Sequence, residues 1–174
     1  GGGSTEVIVG SGDEGRELIS LPLVCVHLTE RLIHNDPPQV EELEAVRNLV
    51  RQTFAERLAD FGAGPVERAV GVGGTVTAFG ALDMGLAKYD PSRVENHFLS
   101  QERVLAIEKE LCSTPLELRR ELPGVSRGRA DIIPAGSVIL SEFVTRFPVG
   151  GLFVSTRGLR YGLVLSEARR AMGR

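Results

Sequence analysis

The sequence predicts an α/β fold, a mixed sheet flanked by helices. Three observations carry this expectation. Two β-rich runs, 5–9 and 17–26, are joined by a glycine-rich turn. A helical period governs 40–58, where Val40, Leu43, Val46, Val50, Phe54 and Leu58 recur every three or four residues between Glu and Arg. A short strand at Ala69-Val70 runs into a second glycine cluster, Gly71-Val72-Gly73-Gly74-Thr75, and a last strand and helix close the chain.

Taken in order, Thr5-Glu6-Val7-Ile8-Val9 alternates and is β-branched, as a half-buried strand should be. The turn from Gly10 to Gly15 leads into the second run, so the two form a hairpin. Gly10, Gly12 and Gly15 match the spacing of a dinucleotide-binding fingerprint, but that fingerprint needs a helix next and a β-rich segment follows. Asp36, before Pro37 and Pro38, is the expected N-cap of the 40–58 helix, and Gly62 and Gly64-Pro65 its stop. A helix is expected to leave the glycine cluster through Thr75, Val76 and Thr77. After a polar stretch around Tyr89-Asp90-Pro91, Ser100 opens a helix with Val104, Ile107 and Leu111 on one face. Thr114-Pro115-Leu116-Glu117 has the form of a capping box with proline at the first helical position, and Pro123-Gly124 ends that short helix. A long apolar helix is expected over 127–147, with Pro134 near its first turn or kinking it. Leu152 to Ser155 reads as a strand, and Gly158 turns the chain into a helix over 159–171.

Composition narrows the function. At 174 residues the chain is the length of one domain. Its 20 basic and 23 acidic residues leave a net charge of −3, which excludes a generally basic surface for nucleic acid or anionic membrane. Aromatics at 5% argue against nucleic-acid stacking as well. No apolar run approaches the roughly 18 residues that span a bilayer. Cys25 and Cys112 lie far apart in apolar segments and read as buried small hydrophobes, so a reducing, cytoplasmic compartment is expected. His27, His34 and His97 have no metal-ligand spacing.

The chemistry is concentrated in glycine. Successive N–H groups in a tight glycine loop converge on an anion, and a following helix N-terminus adds a favourable dipole. Gly71 to Thr75 has this form, although the spacing alone also fits, and somewhat favours, close packing of a strand–helix joint. It is neither a P-loop, since no Gly-Lys-Ser/Thr ending exists, nor a dinucleotide fingerprint, since Val76 stands where the third glycine belongs. Gly1-Gly2-Gly3-Ser4 has the composition of a flexible linker, but it also offers N–H donors beside a hydroxyl. Asp131 beside Arg129 reads as a capping and ion-pair device. Arg157 and Arg160 flank a strand-to-helix turn and are either surface arginines or phosphate contacts.

Gly1-Gly2-Gly3-Ser4-Thr5-Glu6 resembles the second phosphate loop of the exopolyphosphatase/guanosine pentaphosphate phosphohydrolase family. Gly71-Val72-Gly73-Gly74-Thr75-Val76-Thr77 resembles its downstream loop, which corresponds to the adenosine-side loop of the wider sugar kinase, Hsp70 and actin superfamily. Leu28-Thr29-Glu30, Arg129-Ala130-Asp131 with Ala135-Gly136, and Ser155 followed by Gly158-Leu159-Arg160 and Gly162 match further stretches in the same order. The likeness spans the whole chain and implies that the opening glycines are native. It implies a ribonuclease H-like lobe of the actin-like ATPase superfold, the second of two lobes. It also implies Mg²⁺-dependent hydrolysis of phosphoanhydrides, with polyphosphate or guanosine pentaphosphate or tetraphosphate as ligand, and a homodimer. Carried over by position, Gly1, Gly2, Gly3 and Ser4, with Gly73, Gly74 and Thr75, would bind phosphate. Glu6 would hold the metal or the attacking water, and Gly1 would adjoin the metal.

The departures are equally informative. The family pattern has an aspartate and an apolar residue before the first glycine, at the end of a core strand, and this sequence begins after them. The first lobe, with its own phosphate loop and the glutamate that activates water, is also outside the sequence. Thr156 stands where aspartate is common, Tyr161 where glutamate is common, and Glu95-Asn96 where His-Gly is frequent. The intact protein is therefore expected to be longer, and the hairpin to leave an unpaired edge. An alternative within the same fold is a module that binds a nucleotide or alarmone without hydrolysing it.

Overall fold

The computed structural model describes residues 3–12, 14–61, 66–147 and 149–173. Five strands form two separate sheets. Strands β1 (Thr5–Ser11) and β2 (Glu14–Leu21) make an antiparallel hairpin in which Glu6 faces Ser20 and Val7 faces Ile19. Strands β3 (Val70–Val72), β4 (Phe98–Ser100) and β5 (Gly151–Ser155) make the second sheet, with β5 central, parallel to β3 and antiparallel to β4. Among the described residues the hairpin pairs only with itself, so it carries the unpaired edge that was expected, and β3 is an edge strand too. The glycines at 10, 12 and 15 belong to the hairpin, with Gly12 at φ +60°, and no helix follows them.

The second strand is shorter than its β-rich composition predicts. It ends at Leu21 because Pro22 cannot donate to a ladder, and helix α1 (Cys25–Leu32) begins three residues later. Cys25 and Leu28 recur at helical spacing and are buried, so the period of three wins over β-propensity. Helix α2 (Val40–Arg57) buries Val46, Val50 and Phe54, with Leu58 just beyond it, whereas Val40 is exposed on the first turn. Asp36 does not cap α2. The Gln39 N–H donates to Glu42 Oε2 at 2.8 Å, and Glu42 Oε1 accepts the His34 N–H at 2.7 Å. Gly62, Gly64 and Pro65, expected to stop α2, lie outside the described residues.

Helix α3 (Gly74–Asp83) follows β3 directly and buries Val76, Ala78, Phe79, Gly80 and Ala81. Two elements escape a reading based on periodicity: α4 (Pro91–Val94), capped by Asp90, and the three-residue β4. Helix α5 (Gln101–Ser113) is capped by Ser100 and buries Val104, Ile107 and Leu111, as its sequence predicts. The box at 114–117 does not form. Thr114 Oγ1 donates back to the Glu110 carbonyl at 2.7 Å, and Pro115 precedes α6 (Leu116–Arg119) instead of opening it.

A 3₁₀ turn at Arg127–Arg129 stands where a helix was expected, and α7 (Ile133–Arg146) starts only at Ile133. Pro134 explains the delay, because proline is accommodated in a first turn and not further in. Eleven residues of α7 are buried, and the helix packs against α1, α2, α3 and α5. It contributes Ile133, Leu140 and Val144 to the core under the three-stranded sheet, and Ala135, Val138 and Ile139 to the core under the hairpin. Helix α8 (Leu159–Ala171) follows Gly158 as expected but buries none of its residues. No helix among the described residues is long and apolar enough to cross a membrane.

Candidate functional site

The second glycine cluster divides its work among three residues. At Gly71 a Cβ would meet Val76 Cγ1 at 2.9 Å and Leu152 Cδ1 at 3.0 Å, so this glycine lets β3 pack closely on α3 and β5. Gly73 has φ +114°, a conformation side chains rarely adopt, and forms the N-cap of α3. At Gly74 a Cβ would collide with Arg129 Nη1, so the missing side chain makes room for a guanidinium. Close packing and ligand geometry, open as alternatives in the sequence, thus apply to different glycines of one loop.

The resulting electrostatics are one-sided. The first N–H groups of α3 have no acceptor within the helix, the N-cap supplies no side-chain hydrogen bond, and no acidic residue occupies the first turn. The positive end of a ten-residue helix therefore points at a half-buried arginine. Arg129 has no carboxylate at ion-pair distance among the described residues. Asp131, expected to pair with it, instead accepts the Ile132 N–H at 3.0 Å ahead of α7. Gly74, Thr75 and Arg129 line a pocket of about 320 Å³ together with Tyr89, Ser126 and Ile133. Two positive features converging on one pocket have the charge that suits an anion.

The described residues of the N-terminal loop do not line this pocket. Gly1 and Gly2 lie outside the described residues. Gly3 is exposed. Ser4 and Ser20 both donate hydroxyl hydrogen bonds to Glu6 Oε1, the second at 3.4 Å. Glu6 is exposed on the outer side of the hairpin, and neither it nor Ser4 lines the pocket at Arg129. The structure therefore brings together Ser4 and Glu6, and separately Gly74, Thr75 and Arg129. Gly136, in the first turn of α7, lies between Thr75 and Cys25. A Cβ there would lie 2.7 Å from Thr75 Oγ1 and 3.2 Å from Cys25 Sγ. Cys25 in turn opens the helix that follows the hairpin.

At the C-terminal end of β5, Glu95 accepts the Thr156 N–H at 2.6 Å and the Thr156 hydroxyl at 2.7 Å, with Arg157 at 3.4 Å. The Thr156 N–H holds the Glu95 carboxyl below the usual carboxylate range despite burial, aided by the Thr156 hydroxyl and the Arg157 charge. Arg157 also lies over the Tyr161 ring, so its partners are internal. His97 bonds Asp83 at 2.7 Å. Burial would raise the Asp83 carboxyl, but hydrogen bonds from Arg103 and His97 outweigh it and keep it low. Both thiols are free and buried, and burial pushes Cys112 up to about 11. Among the described residues no three His, Cys, Asp or Glu side chains gather to hold a metal.

The sequence model of the Ppx/GppA phosphatase family matches residues 1–171, nearly the whole chain. The chain belongs to the Ppx/GppA phosphatase family. "Exopolyphosphatase 2" of Mycobacterium tuberculosis (strain CDC 1551 / Oshkosh) is 32% identical over 175 residues, covering 97% of this chain and 54% of that protein. Among solved structures, a Ppx/GppA member from Aquifex aeolicus matches with a TM-score of 0.90 and 34% identity, covering 98% of this chain and 55% of the other. An exopolyphosphatase-like protein matches with a TM-score of 0.90 and 31% identity, covering 98% and 58%. The chain thus spans about half the length of the relatives it matches. The mixed three-stranded sheet and the hairpin, flanked by helices, are those of the actin-like ATPase fold that Ppx/GppA proteins share. Arg129 is a pocket residue that local sequence reasoning had read only as an ion-pair partner of Asp131. Its contact with Gly74 joins positions 55 apart in sequence, and only the Arg129-Ala130-Asp131 landmark flagged it.

Proposed function

We propose that this chain supplies the phosphate-binding part of a phosphoanhydride hydrolase that releases terminal phosphate from inorganic polyphosphate or guanosine pentaphosphate. The observation that carries this reading is Arg129 against Gly74 at the uncapped N-terminus of α3. Kinship with an exopolyphosphatase supports it. In the reaction, water attacks the terminal phosphorus while negative charge spreads over the phosphoryl oxygens. Arg129 and the N–H groups of Gly74 and Thr75 bind and orient the anionic chain by compensating that charge. Glu6, an exposed carboxylate flanked by the Ser4 and Ser20 hydroxyls, orients water or offers an oxygen to Mg²⁺. One carboxylate suits Mg²⁺, which is commonly held by one or two carboxylates plus substrate phosphates, and the ion would neutralise phosphoryl charge when bound.

In this reading the general base comes from residues outside the sequence, so the chain binds phosphates but turns over little by itself. Phosphate release from polyphosphate and from guanosine pentaphosphate, by this chain and by a polypeptide of its relatives' length, tests the idea. Equal rates in both would overturn the requirement for a second lobe. Tyr89 and the apolar wall of Ile133 favour a second reading, a module that binds a nucleotide or alarmone without hydrolysis. Calorimetric binding of guanosine tetraphosphate without phosphate release from any substrate would favour that module.

A further inference from the structure

Arg119 is only 3% exposed, an uncommon place for a guanidinium, and every one of its nitrogens is engaged. Nε donates to the Ala130 carbonyl at 2.9 Å. Nη1 donates to the Thr114 carbonyl at 2.6 Å and to that of Leu111 at 3.3 Å. Nη2 pairs with Asp36 Oδ1 at 2.8 Å, and the other oxygen of Asp36 accepts the Leu116 N–H at 2.8 Å. Asp36 thus caps α6 and fixes the arginine that ends it.

Satisfying the last carbonyls of α5 would account for the bonds to Leu111 and Thr114. It does not account for the bond to Ala130, which lies in another segment, directly after Arg129. The 3₁₀ turn that carries Arg129 has no side-chain cap. On one side its backbone is held by the Arg129 N–H to the Ser126 carbonyl at 2.8 Å, and on the other by the Ala130 carbonyl to Arg119. The Arg129 side chain has no carboxylate to steer it, so its place over Gly74 is set by where that backbone is held. A charge-assisted bond from a preorganised fork is well suited to that task.

We infer that Arg119, braced by Asp36, is the positioning residue for Arg129, acting on anion binding at the α3 N-terminus without touching the ligand. This rests on the proposed phosphate site. Its test is a double-mutant cycle on the full chain, with tripolyphosphate as the probe in titration calorimetry. Melting curves confirm that each variant is folded at the temperature of measurement.

Arg129→Ala is expected to weaken binding about tenfold, the scale of one lost charged contact. Arg119→Lys keeps a charge opposite Asp36 but loses the fork to Ala130, and is expected to weaken binding about fivefold, a part of that same contact. In the Arg129→Ala background Arg119→Lys should change affinity no further. Asp36→Asn should show a smaller loss with the same dependence on Arg129, and carries the cycle if Arg119→Lys does not fold. Equal losses in both backgrounds, or no loss in a folded single variant, would overturn the positioning role. An Arg129→Ala protein that binds tripolyphosphate as tightly as the parent would overturn the site itself.

Discussion

Gly71 in β3 and Gly74 at the start of α3 sit three residues apart, yet a methyl group should have opposite consequences at the two positions. At Gly74 the added carbon meets only the far end of a flexible arginine, which can swing aside. Gly74→Ala is therefore expected to keep the melting temperature within about 2 °C of the parent while tripolyphosphate affinity falls about tenfold. At Gly71 the carbon meets Val76 and Leu152, which are packed and cannot retreat. Gly71→Ala should cost about 1–3 kcal/mol of stability, read by denaturant unfolding. Glu95 offers a pH test at the same scale. Its folded-state carboxyl lies below its ordinary value, so its stabilisation is fully present above the unfolded value of about 4.3 and fades as pH falls through the lower folded value. The stability gap between the parent and Glu95→Gln should be constant above about pH 5 and close below it, as followed by denaturant midpoints. At this scale the sequence was legible for glycine and cap positions such as Ser100, whose partners are local. It read Asp36 as a cap of α2 and Arg129 as an ion-pair partner of Asp131, and found no partner for Glu95, because each meets its partner more than 50 residues away.

Among the elements, α2, α5 and α7 are joined by more than apolar packing. Arg47 of α2 donates to Glu142 of α7 at 2.7 Å and to Glu108 of α5 at 2.6 Å, and Arg51 reaches Glu142 at 2.8 Å. Both glutamates are buried, so removing Arg47 takes from Glu108 its cation and leaves Glu142 with Arg51 alone. Arg47→Met should destabilise the fold on the order of 3 kcal/mol, measured by chemical denaturation, and replacing both glutamates by apolar residues as well should recover much of the loss. The elements legible from sequence were those with several turns of one period, α2, α5 and α8, and the strand β5. Elements of three or four residues, β4 and α4, leave too few positions for any period to register. Where β-propensity and helical period compete in the segment after Leu21, Pro22 settles the matter by ending the ladder. The start of α7 was misplaced for the complementary reason: its apolar pattern runs through 130–133, but Pro134 fixes where the helix can begin.

For the molecule as a whole, the two sheets do not hydrogen-bond to each other among the described residues, yet their cores share α7. One face of that helix closes the core under the hairpin and the other closes the core beneath β3, β4 and β5. The two sheets should consequently unfold together. Amide exchange in β1 and in β5 should report the same opening free energy, and two separate values would show that the cores are independent. The fold and family were legible because their landmarks follow one another along the chain, whereas the site needed two distant segments to be set side by side. The shared helix also bears on how the protein comes into being. During synthesis the hairpin, α1 and α2 emerge long before residue 146, and the part of their shared core that α7 completes is then still open. Until α7 leaves the ribosome neither core can close, so nearly the whole chain must be held off aggregation and then settle in one late step.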